Sequence, residues 1–107
     1  LCRMNWTADF ADPYTYLSML LSNSTYNCSG IQDAQYDALV AASDTETDPA
    51  KRAELMHQAE RLAVGEQFYV IPLYSMKSCN LIRPKLEGIT QIAATGALEY
   101  RYAKWAD

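Results

Sequence analysis

Residues 48–74 read DPAKRAELMHQAERLAVGEQFYVIPLY, and a change of rhythm within them decides the fold class. Asp48 before Pro49 is a helix start: the carboxylate caps the first free N–H groups, and proline stands where its missing N–H is not needed. Leu55, Met56, Ala59, Leu62 and Ala63 recur on one helical face, with Lys51, Arg52, Glu54, Glu60 and Arg61 mostly elsewhere. That spacing predicts a helix over 49–64, ended by Gly65. His57, the lone histidine, reads as a solvated residue of this helix. From Gln67 the helical period is lost. QFYVIPLY is nearly continuous in apolar residues, which predicts a strand covered on both faces. Pro72 removes a ladder donor and so puts that strand at an edge, at a bulge, or where the chain leaves one sheet.

Upstream, Asp12-Pro13 repeats the start signal, with Asp12 as cap and Pro13 as first helical residue. Tyr14, Leu17, Met19, Leu20 and Leu21 fit a short helix that stops at Ser22-Asn23-Ser24-Thr25. A loop through Gly30 leads to Asp33, the cap of a second helix whose buried stripe is Tyr36, Leu39 and Val40 and which ends near Ser43. Downstream, CNLIR (79–83) reads as a short extended run, the chain is loop-like through Gly96, and LEYRYAKW (98–105) alternates as a half-exposed strand. Helices alternating with strands predict an α/β fold, a layered mixed sheet with flanking helices.

At 107 residues, half of them apolar, the chain falls in the range of one compact domain. It has no apolar run long enough to span a bilayer and no charged-then-apolar leader. It enters a strand-like stretch, LCRMNW, without a cap or turn, so it reads as a piece excised from something longer. A net charge of −4 argues against nucleic acid, which calls for clustered Lys and Arg. The charge is uneven: four basic against ten acidic residues over 1–76, five against three over 77–107, as expected of two parts with different surroundings. Cys2, Cys28 and Cys79 lack metal-site spacing, and an odd count leaves at least one thiol unpaired within the chain. Spacing does not choose among their three pairings.

There is no Gly-rich phosphate loop, no G-x-S-x-G and no H-E-x-x-H. Asp9 and Asp12 are the nearest approach to an acid/base pair, yet Asp12 serves as a helix cap, and one histidine cannot complete a nucleophilic triad. The chain reads as a non-enzyme without metal or cofactor. Asp9, beside Trp6 and with no capping duty, is left as a candidate binding group.

The ordered series Arg3, Trp6, Ala8-Asp9, Asp12-Pro13, then Leu21-Ser22-Asn23, Asn27-x-Ser29-Gly30, Tyr36-Asp37-Ala38-Leu39, Thr47-Asp48-Pro49-x-Lys51-Arg52 and Ile71-Pro72-Leu73-Tyr74 resembles the C-terminal part of the extracytoplasmic oligopeptide- and dipeptide-binding proteins of ABC importers, solute-binding protein family 5. The resemblance implies a fragment of a two-lobed, type II clamshell that closes on a peptide. Residues 1–76 would belong to the second lobe and residues 77–107 would return to the first, which is absent here. Asp9 would receive the peptide's α-ammonium, setting register while backbone pairing ignores side-chain identity. Trp6, Thr7 and Ala8 would line the peptide's path, with Arg3, Asn27 and Met76 as further candidates. Implied partners are a peptide and a membrane permease; the implied location is the periplasm or a lipid anchor on the cell surface. The isolated piece would bind peptide weakly and, with open sheet edges, self-associate. Two alternatives stand beside this: a free-standing α/β protein-interaction module, and a same-family binder of a nickel complex or sugar.

Overall fold

Asp48 caps its helix as the sequence asks, its Oδ1 accepting from Ala50 N–H at 2.9 Å and Lys51 N–H at 3.2 Å. In this computed structural model, which describes residues 2–77, 79–92 and 95–106, the chain forms α1 (Tyr14–Leu17) running into a 3₁₀ turn (Ser18–Leu20), α2 (Ala34–Thr45), and α3 (Pro49–Glu60) running into a π-helical stretch (Arg61–Glu66). Four two-residue strands follow: β1 (Leu86–Glu87), β2 (Thr90–Gln91), β3 (Leu98–Glu99) and β4 (Lys104–Trp105). Expectations that touch residues 1, 78, 93, 94 and 107 lie, at those positions, outside the described residues. No helix is long and apolar enough to cross a membrane among the described residues.

The core sits where α1, α2 and the end of α3 meet: Leu20, Ile31, Tyr36, Val40, Ala59, Leu62 and Ala63 are buried together. Of the positions that helical spacing selects, Tyr36, Val40, Ala59, Leu62 and Ala63 lie in this core, Met56 is buried outside it, and Leu39 and Leu55 are only half-buried; each large side chain fully buried contributes about 1.5–3 kcal/mol. His57 is exposed. Tyr36, fully buried, reaches across to α1, its hydroxyl donating to Leu17 C=O at 2.8 Å.

Helix ends differ from expectation in instructive ways. α1 keeps only four α-helical residues before tightening to 3₁₀, and it starts at Tyr14 rather than Pro13, with Asp12 Oδ1 accepting the Tyr14 N–H at 2.8 Å. Gly65 does not end α3. The chain widens into a π turn in which Gln67 N–H reaches Leu62 C=O at 2.9 Å, and the turn is made at Phe68, φ +53°. A left-handed non-glycine residue costs about 1–2 kcal/mol. Two bonds offset that: Tyr69 N–H to Ala63 C=O at 2.7 Å and Tyr69 O–H to Asp33 Oδ2 at 2.8 Å. Asp33 thus caps α2 and holds the exit of α3 at once. The Tyr69 hydroxyl, then the Tyr36 N–H, keep its carboxyl below the ordinary range.

The apolar run 67–74 is not a strand. After the turn at Gln67–Phe68 it runs on without ladder partners, and Phe68, Ile71, Leu73 and Tyr74 are exposed. Extended backbone becomes a strand only when neighbours take its N–H and C=O groups, and none of the described residues lies alongside. Residues 2–6 and 79–83 are likewise unpaired. With a radius of gyration of 18.2 Å, against about 13 Å for a compact chain of this length, the molecule is a helical knot with an open, extended remainder.

LEYRYAKW is not one strand either. β2 pairs antiparallel with β3 and β1 with β4, so the tail is a hairpin interrupted by a turn at residues 100–103. Its two halves are offset in register, and Gly88 bridges the offset. At φ +74°, a Cβ there would lie 1.9 Å from Tyr102 C=O, so only glycine fits.

Candidate functional site

The site is assembled from α3 downward. Arg52, in the first turn of α3, donates Nε–H to Ser43 C=O of α2 at 3.0 Å and forks onto Asp12, with Nη1 to Oδ2 at 2.6 Å and Nη2 to Oδ1 at 3.0 Å. The guanidinium plane matches both carboxylate oxygens, which is why arginine serves here and lysine would not. Arg52 also holds the Asp12 carboxyl below the usual carboxylate range, the Tyr14 N–H adding to the effect. Asp12 therefore bolts the start of α1 to α2 and α3, rather than acting as a simple cap.

That bolt places Thr15, which is buried. Its hydroxyl oxygen accepts from Trp6 Nε1–H at 3.1 Å and from the Asp9 backbone N–H at 3.5 Å. One buried hydroxyl thus folds residues 6–9 over α1. The indole stands edge-on to Tyr26, with centroids 4.7 Å apart and planes at 67°, a pairing worth about 0.5–1.5 kcal/mol beyond burial. Beside this pair opens a hollow of about 390 Å³, walled by Trp6, Asp9, Phe10, Thr15, Met19 and Tyr26 among others.

Asp9 lies on that wall, exposed, with no hydrogen bond or ion pair to its carboxylate among the described residues. Thr7 is exposed and Ala8 buried. Arg3 is exposed and donates from Nη2 to the Tyr74 hydroxyl at 3.3 Å, so it meets the apolar run instead of the hollow. Met76 is exposed at 70% and does not line the hollow. Asn27 holds backbone: its amide donates to Leu21 C=O at 3.2 Å and Ile31 C=O at 2.8 Å, and its Oδ1 accepts from Ile31 N–H at 3.0 Å. It braces the loop that carries Tyr26. Thr15 and Tyr26 went unremarked in the sequence; the order Trp6, Asp9, Thr15 carries no spacing signal that would single them out.

No protein-family model matches the chain. It is 32% identical over 105 residues to the dipeptide-binding protein DppE of Bacillus subtilis, covering 98% of this chain and 18% of that one. To the probable deoxycholate-binding periplasmic protein YgiS of Escherichia coli it is 35% identical over 88 residues, covering 82% and 16%. The crystal structure of an oligopeptide ABC transporter substrate-binding domain from Bacillus anthracis superimposes with a TM-score of 0.84 at 30% identity, over 95% of this chain and 20% of that one. The chain spans less than a quarter of the length of each of these relatives.

Proposed function

We propose that this chain, which matches over nearly its whole length a segment of the oligopeptide- and dipeptide-binding proteins of ABC importers, captures peptides outside the cytoplasm as part of a longer, two-lobed protein and delivers them to a membrane permease. The observation that carries the proposal is the Asp9 carboxylate, open to solvent on the wall of an aromatic hollow inside that matched segment. Asp9 receives the peptide's α-ammonium. Trp6 and Thr7 line the path of its first residues, Ala8 contributes backbone, and Arg3 and Met76 lie outside the hollow, toward the apolar run. Residues 1–76 belong to one lobe of a clamshell and 77–107 return to the other. The exposed apolar run at 68–76 supports this reading, because such a surface calls for a covering partner. The periplasmic relative supports an extracytoplasmic location.

Closure sets the strength of the Asp9 contact. An ion pair left in water is worth about 0.2–1 kcal/mol, whereas truncating one member of a desolvated pair costs about 2–5 kcal/mol. The isolated chain therefore binds peptide weakly, and tight calorimetric binding of a free tetrapeptide to it would contradict the two-lobe reading. In the full-length protein, acetylating the peptide's amino terminus or making Asp9→Asn should weaken binding by about 30-fold or more. Equal affinity for free and acetylated peptide removes Asp9 from that role. A non-peptide ligand is the second reading, favoured by the YgiS relative's name and by the largely apolar wall. Binding of deoxycholate but not of peptide in the same calorimeter would establish it.

A further inference from the structure

We propose that Cys2 and Cys28 form a disulfide that ties together the two walls of the hollow. Their sulfurs lie 2.8 Å apart, although the residues are 26 positions apart in sequence. That is about 0.8 Å more than a disulfide bond length. Both residues are exposed, in segments without regular structure, so an oxidant can reach them and the backbone can adjust. Cys79 is also exposed, but it lies in the unpaired stretch beyond the apolar run, and no contact among the described residues brings it near either thiol. The structure therefore distinguishes one pairing among three that the sequence leaves equal.

The position of the bridge gives it a consequence for the site. Residues 2–9 belong to no helix or strand and are held mainly through Trp6 on Thr15 and Tyr26. The loop bearing Tyr26 and Cys28 is fastened separately, by Asn27 to Ile31 and by Ser22 N–H to Asp37 Oδ1 at 3.0 Å. A covalent link from Cys2 to Cys28 joins the first wall to the second beside the Trp6–Tyr26 contact, so that residues 3–9 stay against the Tyr26 loop when no ligand is present.

The chemistry is thiol–disulfide exchange with a small disulfide oxidant. One cysteine thiolate attacks a sulfur of glutathione disulfide and expels one glutathione thiolate. The second cysteine thiolate then attacks the cysteine sulfur of the mixed disulfide and expels the other. One S–S bond forms in the protein and one is broken in the oxidant. Two electrons pass to the oxidant, and the two protons lost by the cysteines protonate the two glutathiones. Such an oxidising milieu is that of the extracytoplasmic location proposed above; the test in vitro does not depend on it.

The folded, reduced chain is equilibrated with glutathione disulfide, alkylated, digested and mapped without reduction. The expected map contains a Cys2–Cys28 linked peptide with Cys79 alkylated, and the count of titratable thiols falls from the three of the sequence to one. The same treatment in denaturant should give mixed pairings, and Cys79→Ser should leave the folded-state link intact. Amide exchange of residues 3–9 should slow at least tenfold on oxidation. A map in which Cys2 and Cys28 are both alkylated, or in which either pairs with Cys79 in the folded chain, overturns the pairing. A formed link without slower exchange at 3–9 overturns the claim that it ties the walls together.

Discussion

Replacing Tyr36 by phenylalanine removes one oxygen from the centre of the helical knot and tests how α1 is held to α2. The ring is fully buried and its hydroxyl donates to Leu17 C=O at 2.8 Å. Phenylalanine keeps the ring volume, so no cavity opens. What is lost is one hydrogen bond, worth about 1 kcal/mol net, plus part of the penalty for a carbonyl left short of a donor, for a total of about 1–2 kcal/mol. For a chain near 100 residues each kcal/mol shifts Tm by about 4–8 °C, so thermal unfolding followed by circular dichroism should move down by about 5–15 °C. Tyr36→Ala adds a cavity term of about 3–5 kcal/mol, comparable to the stability of a small domain, and should leave the helices largely unfolded at 37 °C. The hydroxyl also has a pH signature. Burial, and after it the charge of Asp37, raise the Tyr36 pKa in the folded state. Because the folded value lies above the unfolded one of about 10, this stability is fully present below pH 10 and is lost as pH rises toward the folded value. The phenylalanine variant should lack that alkaline decline. If Tyr36→Phe melts with the parent and the alkaline limbs coincide, the hydroxyl does not hold α1 to α2.

Two further outcomes bear on how the site and the tail are built. Arg52 lowers the Asp12 pKa in the folded state, so the contribution of this pair is present above the unfolded value of about 3.9 and is lost as pH falls through the lower, folded value; Asp12→Asn should flatten the acid limb of urea stability measured between pH 5 and pH 2, and an unchanged limb would exclude the bolt. Gly88→Ala puts a methyl where Tyr102 C=O lies, so amide protection at Thr90 and Ile92 should vanish while the helical circular dichroism stays; full protection in the variant would refute the hairpin register.

How much was legible in the sequence follows from the range of the forces involved. Asp48-Pro49 and Asp33 start helices because a carboxylate meets N–H groups two or three residues away. The stripe Met56, Ala59, Leu62 and Ala63 is buried because the helical period is local. The ordered pieces from Arg3 to Tyr74 sufficed to point to the family that the comparisons then found. Asp9 stood out because Asp12-Pro13 already supplied the turn. What sequence alone left undecided, or misjudged, depends on groups far apart along the chain. Whether 67–74 becomes a strand depends on neighbours that no local propensity supplies. Only the folded chain brings Arg52 to Asp12 across 40 residues, Trp6 and Asp9 to the Thr15 hydroxyl, and Cys2 to Cys28. Spacing encodes contacts within a turn of helix; contacts between elements are set by how the buried faces of α1, α2 and α3 close on one another.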